Sequence, residues 1–293
     1  MNNNIRNKVI YAQIFILLST QLFAINRVDK IYSGAQSKAH DILIKAERFC
    51  EQNQLDSASK YVNLIVGHIE SEIIKADFKL INLRNSEKWS SIEQRLDSAY
   101  LQNYPNISDP DLSIELWNMY IGDQLYRSLS QYALPVPIAG TKEYWKFQRS
   151  QNKIRVKRRK RILRIIKKSG WPKYSQVGEI SGDGVFYILQ HDRTKYMRKY
   201  INQFKEAAMI NEASKGNYAM MLDRILVNSG KKQLYGTQLT YLDNRKVFFP
   251  IENPENINKR RSEMELSPIE SYAAAVGADY NPNEDIPLVP TKF

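Results

Sequence analysis

Apolar residues recur at spacings of three and four from Ile25 to about Tyr104, as in Ile42, Leu43, Ala46, Phe49 and Cys50, with polar residues between them. That period lays one apolar stripe along a helix and predicts helices almost throughout the segment. Little interrupts it: glycine stands there only at 34 and 67, and proline is absent before 105. Leu55, Ala58 and Val62 return 34 residues later as Trp89, Ile92 and Leu96. This is the period of the tetratricopeptide repeat, in which each helical pair buries a face against the next. Residues 25–104 are therefore expected to form helical hairpins of that general kind.

A turn-rich link, YPNISDP, follows, and beyond it Asp111 is placed to cap a helix whose apolar face is Leu112, Leu116, Met119 and Ile121. The stretch ALPVPIAGTKEYW reads as a loop leading into a basic helix at 153–168 with a narrow seam of Ile154, Ile162, Leu163, Ile165 and Ile166. Gly170, Trp171 and Pro172 form its stop signal. VFYILQ, within 178–192, fits a strand or a buried helix, since so short a run has no decisive period. Residues 194–227 read as two helices separated near Gly216. Alternation of Leu239, Tyr241, Val247 and Phe249 around a turn at Asp243 to Lys246 predicts a β-hairpin. Helices open again at Asn253-Pro254 and at Ser267-Pro268, the second with Glu270 in capping-box position. The expected fold class is mainly α: N-terminal hairpins, then a helical domain over 105–277 with one small β-hairpin. The tail 278–293 has too little apolar content to order itself and is expected to be disordered.

Charge and the N-terminus narrow the setting. Forty-three Lys and Arg against 31 Asp and Glu leave +12, which attracts anionic partners. Ten of the sixteen residues at 153–168 are basic and none is acidic. At the start, Arg6 and Lys8 precede a mostly apolar run from Val9 to Ala24, the pattern of a secretory signal with cleavage expected after Ala24. Gln13 and Gln21 make the run shorter and wetter than the roughly 20 apolar residues of a spanning helix. The expected location is periplasmic or secreted; the alternative is an anchor formed by the uncleaved N-terminal helix. Export shifts the anionic partner from nucleic acid, which is not expected, to an acidic envelope surface. The one cysteine, Cys50, stands at an apolar helix position and is expected to pack.

Candidate chemistry gathers in the second half. ELWNMYIGDQLYR, GWPKYSQVGE, ILQHD, LDRILVNSGKKQLYGTQ and PIENPENINKRRSEMELSPIESY occur in that order, and the series resembles a bacterial family known only as a domain of unknown function, family 6624, over roughly residues 110–273. The resemblance implies positions but no activity: Asp123, Gln124 and Arg127; Gly170, Trp171 and Pro172; Gln190 and His191; Asp223 and Arg224; and Gln233 with Tyr235 to Gln238. Where the family's last motif has a Gly-Leu turn, this chain has Glu265-Leu266.

The residues themselves suggest roles. Histidine titrates nearest neutral pH, and of the three histidines only His191 lies in the matched region, which makes it the candidate general base. The alternative is a hydrogen-bonded structural histidine. Asp223 and Arg224, neighbours on a helix, point about 100° apart and must serve different partners. In an active site Asp223 would orient the imidazole and Arg224 would hold an oxyanion; alternatively each bonds a loop backbone and fixes the adjacent hairpin. QLYGTQ, read as a strand, sends Gln233, Tyr235 and Thr237 to one face and Leu234, Gly236 and Gln238 to the other. Such a face suits sugar hydroxyls or a peptide backbone, or satisfies buried hairpin ends. Of Arg260 and Arg261, one is expected to reach the site and the other to be solvated.

The functional expectation is an exported protein with a polar pocket: His191, Asp223 and Arg224 catalytic, and Gln190, Gln233, Tyr235, Thr237, Gln238, Asp123, Gln124 and Arg127 binding substrate. It would act as a metal-independent hydrolase or transferase on a polar or anionic substrate. No cofactor is expected, because the phosphate-binding, His-Glu-x-x-His, Gly-x-Ser-x-Gly and paired-cysteine signatures are missing. The alternative is a non-catalytic peptide- or glycan-binding module whose N-terminal helices recruit a protein partner.

Overall fold

A computed structural model describes residues 35–131, 140–284 and 286–288; the expected signal segment at 1–24 lies outside the described residues. The fold is mainly α, with thirteen α-helices and one two-stranded antiparallel sheet among the described residues. It divides into two compact units between Ile188 and Leu189, within the stretch expected as one domain.

In the first unit, α1 (Ala35–Glu51) and α2 (Leu55–Ile65) form a hairpin whose short turn uses Asn53 at φ 58°. Then come α3 (Ser71–Ala76), a 3-10 turn (Phe78–Leu80), α4 (Ile81–Arg84) and α5 (Trp89–Gln102). Ala46, Cys50, Ala58, Val62, Ile65, Ile92 and Leu96 are fully buried in one core. Both copies of the 34-residue echo thus enter the same core, on α2 and α5. Cys50 packs as expected: its Sγ accepts from Leu83 N at 3.3 Å, and burial pushes its thiol up.

One buried cation ties α3 and α5 to α6 (Pro110–Gln131). Lys75, 2% exposed, donates to Asp97 at 2.5 Å and Asn118 at 2.6 Å and lies 4.5 Å over the Trp117 ring. An ammonium out of water needs all of these partners. Trp117 in turn stacks on Tyr100 at 4.1 Å, and the Tyr100 hydroxyl meets Ser181 at 2.7 Å.

The basic helix is longer than expected. As α7 it runs Lys142–Ser169, because Thr141 caps it by accepting from Tyr144 N at 3.2 Å. Its seam narrows to Ile162, Ile165 and Ile166, while Ile154 is 40% exposed. Gly170 ends it at φ 80°, and a one-turn helix α8 (Tyr174–Val177) follows. VFYILQ resolves as the end of a helix, α9 (Glu179–Gln190), buried at Val185, Phe186, Ile188 and Leu189. Burial on several sides is why no single apolar face showed in the sequence.

The second unit opens with α10 (Thr194–Met209) and α11 (Lys215–Asn228). Gly216 falls inside the first turn of α11, whose cap Ser214 accepts from Asn217 N at 3.1 Å. The hairpin pairs β1 (Leu239–Leu242) with β2 (Arg245–Phe248), in register from Leu239↔Phe248 to Leu242↔Arg245. Its turn is Asp243-Asn244, both at positive φ, which matches the strand twist and makes the loop shorter than expected. After a 3-10 turn (Pro254–Asn256) come α12 (Ile257–Glu263) and α13 (Ile269–Val276). The expected capping box at Ser267 is replaced from outside: Asn258 Oδ1 accepts from Ile269 N at 2.8 Å, and its Nδ2 donates to Glu270 at 3.0 Å.

The tail departs from expectation. Instead of lacking order, residues just past Gly277 dock on the hairpin: Asp279 N donates to Lys246 O at 2.8 Å, Arg245 pairs with Asp279 and Glu284, and the Tyr280 ring meets Phe248 edge-on at 5.7 Å. An edge strand offers hydrogen bonds that need little apolar content in the segment that takes them. This covering also explains why Val247 and Phe248 are both buried although they point to opposite faces. Among the described residues no helix is long and apolar enough to cross a membrane.

Candidate functional site

Six of the polar residues singled out in the second half, Gln190, Asp223, Arg224, Gln233, Thr237 and Gln238, converge on one loop, 233–238, which is not a strand. Gly236 turns it at φ 65°, breaking the two-faced alternation expected of QLYGTQ, so that Gln233, Thr237 and Gln238 are all buried. Asp223, on α11, is fully buried beneath the turn. Its Oδ1 accepts from Leu234 N at 2.7 Å and Tyr235 N at 3.1 Å; its Oδ2 accepts from Thr237 N at 3.0 Å and the Thr237 hydroxyl at 2.9 Å. Successive backbone N–H groups aimed at one point make an anion-holding concavity, and here the anion is the chain's own carboxylate.

The carbonyls of the same loop point the other way and are met by arginines. Arg261, 1% exposed, donates to Tyr235 O at 2.6 Å and Ser267 O at 2.5 Å and lies 5.0 Å over the Tyr272 ring. Arg260 donates to Leu234 O at 2.9 Å and Asn253 O at 3.0 Å. The expectation that one of the pair would be solvated is therefore corrected: both guanidinium groups serve backbone carbonyls, because the loop presents acceptors toward α12.

The glutamines close the loop on itself. Gln233 Oε1 accepts from Gln238 N at 2.8 Å, while its Nε2 donates to Gln238 O at 2.9 Å and Phe249 O at 2.8 Å. Gln238 Oε1 accepts from Arg224 Nε at 3.1 Å, and Arg224 Nη1 donates to Gln190 O at 2.8 Å. Asp223 and Arg224 thus serve different partners, as their angular separation requires. Gln190, Asp223, Arg224, Gln233, Thr237 and Gln238 belong to one connected network, and Tyr235 joins it through its backbone. His191, half-buried, follows Gln190 at the end of α9.

Other expected residues lie elsewhere. Asp123 is buried on α6 in the first unit, with the Arg158 guanidinium beside it, and Gln124 follows it there. The Arg127 side chain lies outside the described residues. Arg261 was legible only as half of a basic pair; its burial was not. No group of three His, Cys, Asp or Glu side chains suited to a metal occurs among the described residues.

Burial pushes the Asp223 carboxyl up to about 6, against the pull of the Leu234, Thr237 and Tyr235 N–H groups and the Thr237 hydroxyl. Burial, with Tyr218 and Asp223 nearby, pushes the Tyr235 phenol up to about 12. The Arg261 guanidinium is lowered by burial.

With this geometry in view, the sequence matches the Family of unknown function (DUF6624) over residues 110–282, more than half of the chain. The chain belongs to that family. The DUF6624 region starts at the first residue of α6 and runs past α13, so it contains the whole loop network and the docked Asp279 and Tyr280. Helices α1 to α5 precede it. No curated protein and no solved structure matches the chain at a significant level. At Glu265, where the DUF6624 pattern resembled in the sequence has Gly, the backbone still adopts the left-handed turn, at φ 58°, and Glu265 pairs with Lys215 at 2.8 Å.

Gly236 is required by both conformation and space. A Cβ there would lie 2.8 Å from Ile269 Cδ1 and 3.1 Å from the Cδ1 atoms of Ile251 and Ile257. Left-handed backbone adds roughly 1–2 kcal/mol for a residue with a Cβ, and crowding adds about 1 more. Gly236→Ala is accordingly expected to cost about 2–3 kcal/mol, read as a lower urea midpoint with an unchanged slope.

Proposed function

We propose that this chain is an exported, non-catalytic binding protein whose DUF6624 region holds a polar ligand, a peptide or a glycan, against Gln190, His191, Arg224 and Tyr235. In this reading the N-terminal hairpins, which resemble tetratricopeptide pairs, recruit a protein partner. The observation that carries the proposal is the side chain of Gln190. It is 2% exposed, and among the described residues neither its Oε1 nor its Nε2 meets a hydrogen-bond partner. A buried amide left unmet costs about 1–3 kcal/mol for each group, so a ligand bringing one donor and one acceptor gains that much on binding. Arg224, fixed to the Gln190 carbonyl, adds a cation to the same place. Because Gln190 is buried, capture involves local opening at the end of α9.

A binding role has more support than catalysis for a specific reason. Both oxygens of Asp223 are occupied by donors of the 233–238 loop, which leaves the carboxylate no acceptor for orienting the His191 imidazole. Asp223, Gln233, Thr237 and Gln238 then act by positioning Arg224 and Tyr235.

The test is Gln190→Leu. Removing an unmet donor and acceptor from a buried place is expected to raise stability by about 1–2 kcal/mol. At the same time, binding on peptide and glycan arrays is expected to be lost. A variant that is less stable than the parent, or that binds the arrays equally well, would refute the proposal. Turnover of any array substrate that His191→Ala abolishes would restore the hydrolase or transferase reading.

A further inference from the structure

The whole net charge of the protein resides in one helix. α7 contains thirteen Lys and Arg and a single acid, Glu143, so its net charge equals the +12 of the full chain, and all other residues balance at thirty basic and thirty acidic. Three of its cations face the fold: Arg161 makes two 2.7 Å bonds to Glu115, Arg158 lies beside Asp123, and Arg159 is buried. Arg155 is half-buried, and the other nine are exposed.

At about 100° per residue, Arg149, Lys153, Lys157, Lys160 and Arg164 share an arc of about 100°, opposite the buried Ile162, Ile165 and Ile166. Among the described residues, none of Lys153, Lys157 and Lys160 is in an ion pair. Trp145, 55% exposed, sits at the rim of this arc. Successive turns of the helix therefore present a row of one sign roughly 28 Å long, from Trp145 to Arg164, with an indole at one end.

We propose that this face of α7 docks the protein on an anionic phospholipid surface. Headgroup phosphates spread in a plane match a long straight row of ammonium and guanidinium groups, each of which gains on approach to an anionic leaflet. An exposed indole settles at headgroup depth, where its ring is dehydrated and its N–H stays wet. A nucleic acid would match the charge, but export, as expected from the N-terminal pattern, would remove it from the chain's surroundings.

Co-sedimentation of the full chain with vesicles tests this. Phosphatidylcholine vesicles containing about one third phosphatidylglycerol are expected to bind at least about 100-fold more tightly than pure phosphatidylcholine, with the difference lost at roughly 1 M salt. The triple variant K153E/K157E/K160E is expected to bind the anionic vesicles about 100-fold or more weakly, with an unchanged circular dichroism spectrum. Trp145→Ala, which leaves the charge intact, is expected to weaken binding several-fold. Equal binding to the two vesicle types would overturn the proposal, since it would report the apolar run at 9–24 instead. Undiminished binding by the folded triple variant would overturn it too, as would tighter binding to a DNA duplex than to the anionic vesicles.

Discussion

Asp223→Ala is expected to destabilise the C-terminal unit by about 4–6 kcal/mol, a large part of the total stability of a domain. The change strands three backbone N–H groups, those of Leu234, Tyr235 and Thr237, and the Thr237 hydroxyl around the fully buried position of the lost carboxylate. Each unmet buried donor costs roughly 1–3 kcal/mol, and relaxation of the loop recovers only part. Urea-dependent amide hydrogen exchange in the C-terminal unit reads the loss, and a decrease under about 2 kcal/mol would contradict the role given to the carboxylate.

The same residue predicts a dependence on pH with a definite sign. Its folded value, about 6, lies above the ordinary 3.8, so the folded chain holds the proton more tightly than the unfolded one. The stability linked to that proton is fully present below about 3.8 and is lost as the pH rises through about 6, a difference of about 3 kcal/mol for this one group. The Thr237 hydroxyl accommodates both forms, donating to the carboxylate and turning to accept from the neutral acid. Titration of the Asp223 carboxyl carbon by NMR checks this directly; a midpoint below 4 would reverse the sign.

Arg261→Met is the second large effect, expected at about 3–5 kcal/mol. Methionine fills much of the volume but supplies no donor to Tyr235 O or Ser267 O, and it removes the cation from the Tyr272 ring. Asp223 and Arg261 grip the loop from opposite sides, one through its N–H groups and the other through its carbonyls. Once either is lost the loop is free to move, so the second loss costs less. The double variant is expected to fall short of the summed single effects by at least about 1 kcal/mol, measured as a double-mutant cycle.

Much of the molecule was readable along the chain, and the reason is local. Helices over 35–102 follow from a repeated spacing of three and four, which any stretch of chain can satisfy alone. The stop at Gly170 and the hairpin around Asp243-Asn244 follow from residues that dictate backbone angles wherever they occur. The 100° between Asp223 and Arg224 is a property of the helix itself. By contrast, the docking of Asp279 and Tyr280 depended on an edge strand more than 30 residues away, and the cap of α13 came from Asn258 on a different helix. VFYILQ became a helix because its surroundings bury it on several sides, which leaves no period to read.

The sequence by itself determined which groups were available to the turn at Gly236, a glycine with amides beside it and the neighbouring Asp223 and Arg224 on one helix, since these are chemical facts of the chain. Only the tertiary structure decided what those residues face. Burial and hydrogen-bond direction are set by partners distant along the chain, and it is they that turned Asp223 toward the loop's own N–H groups, buried Arg261 among its carbonyls, and left the Gln190 amide buried with no partner among the described residues.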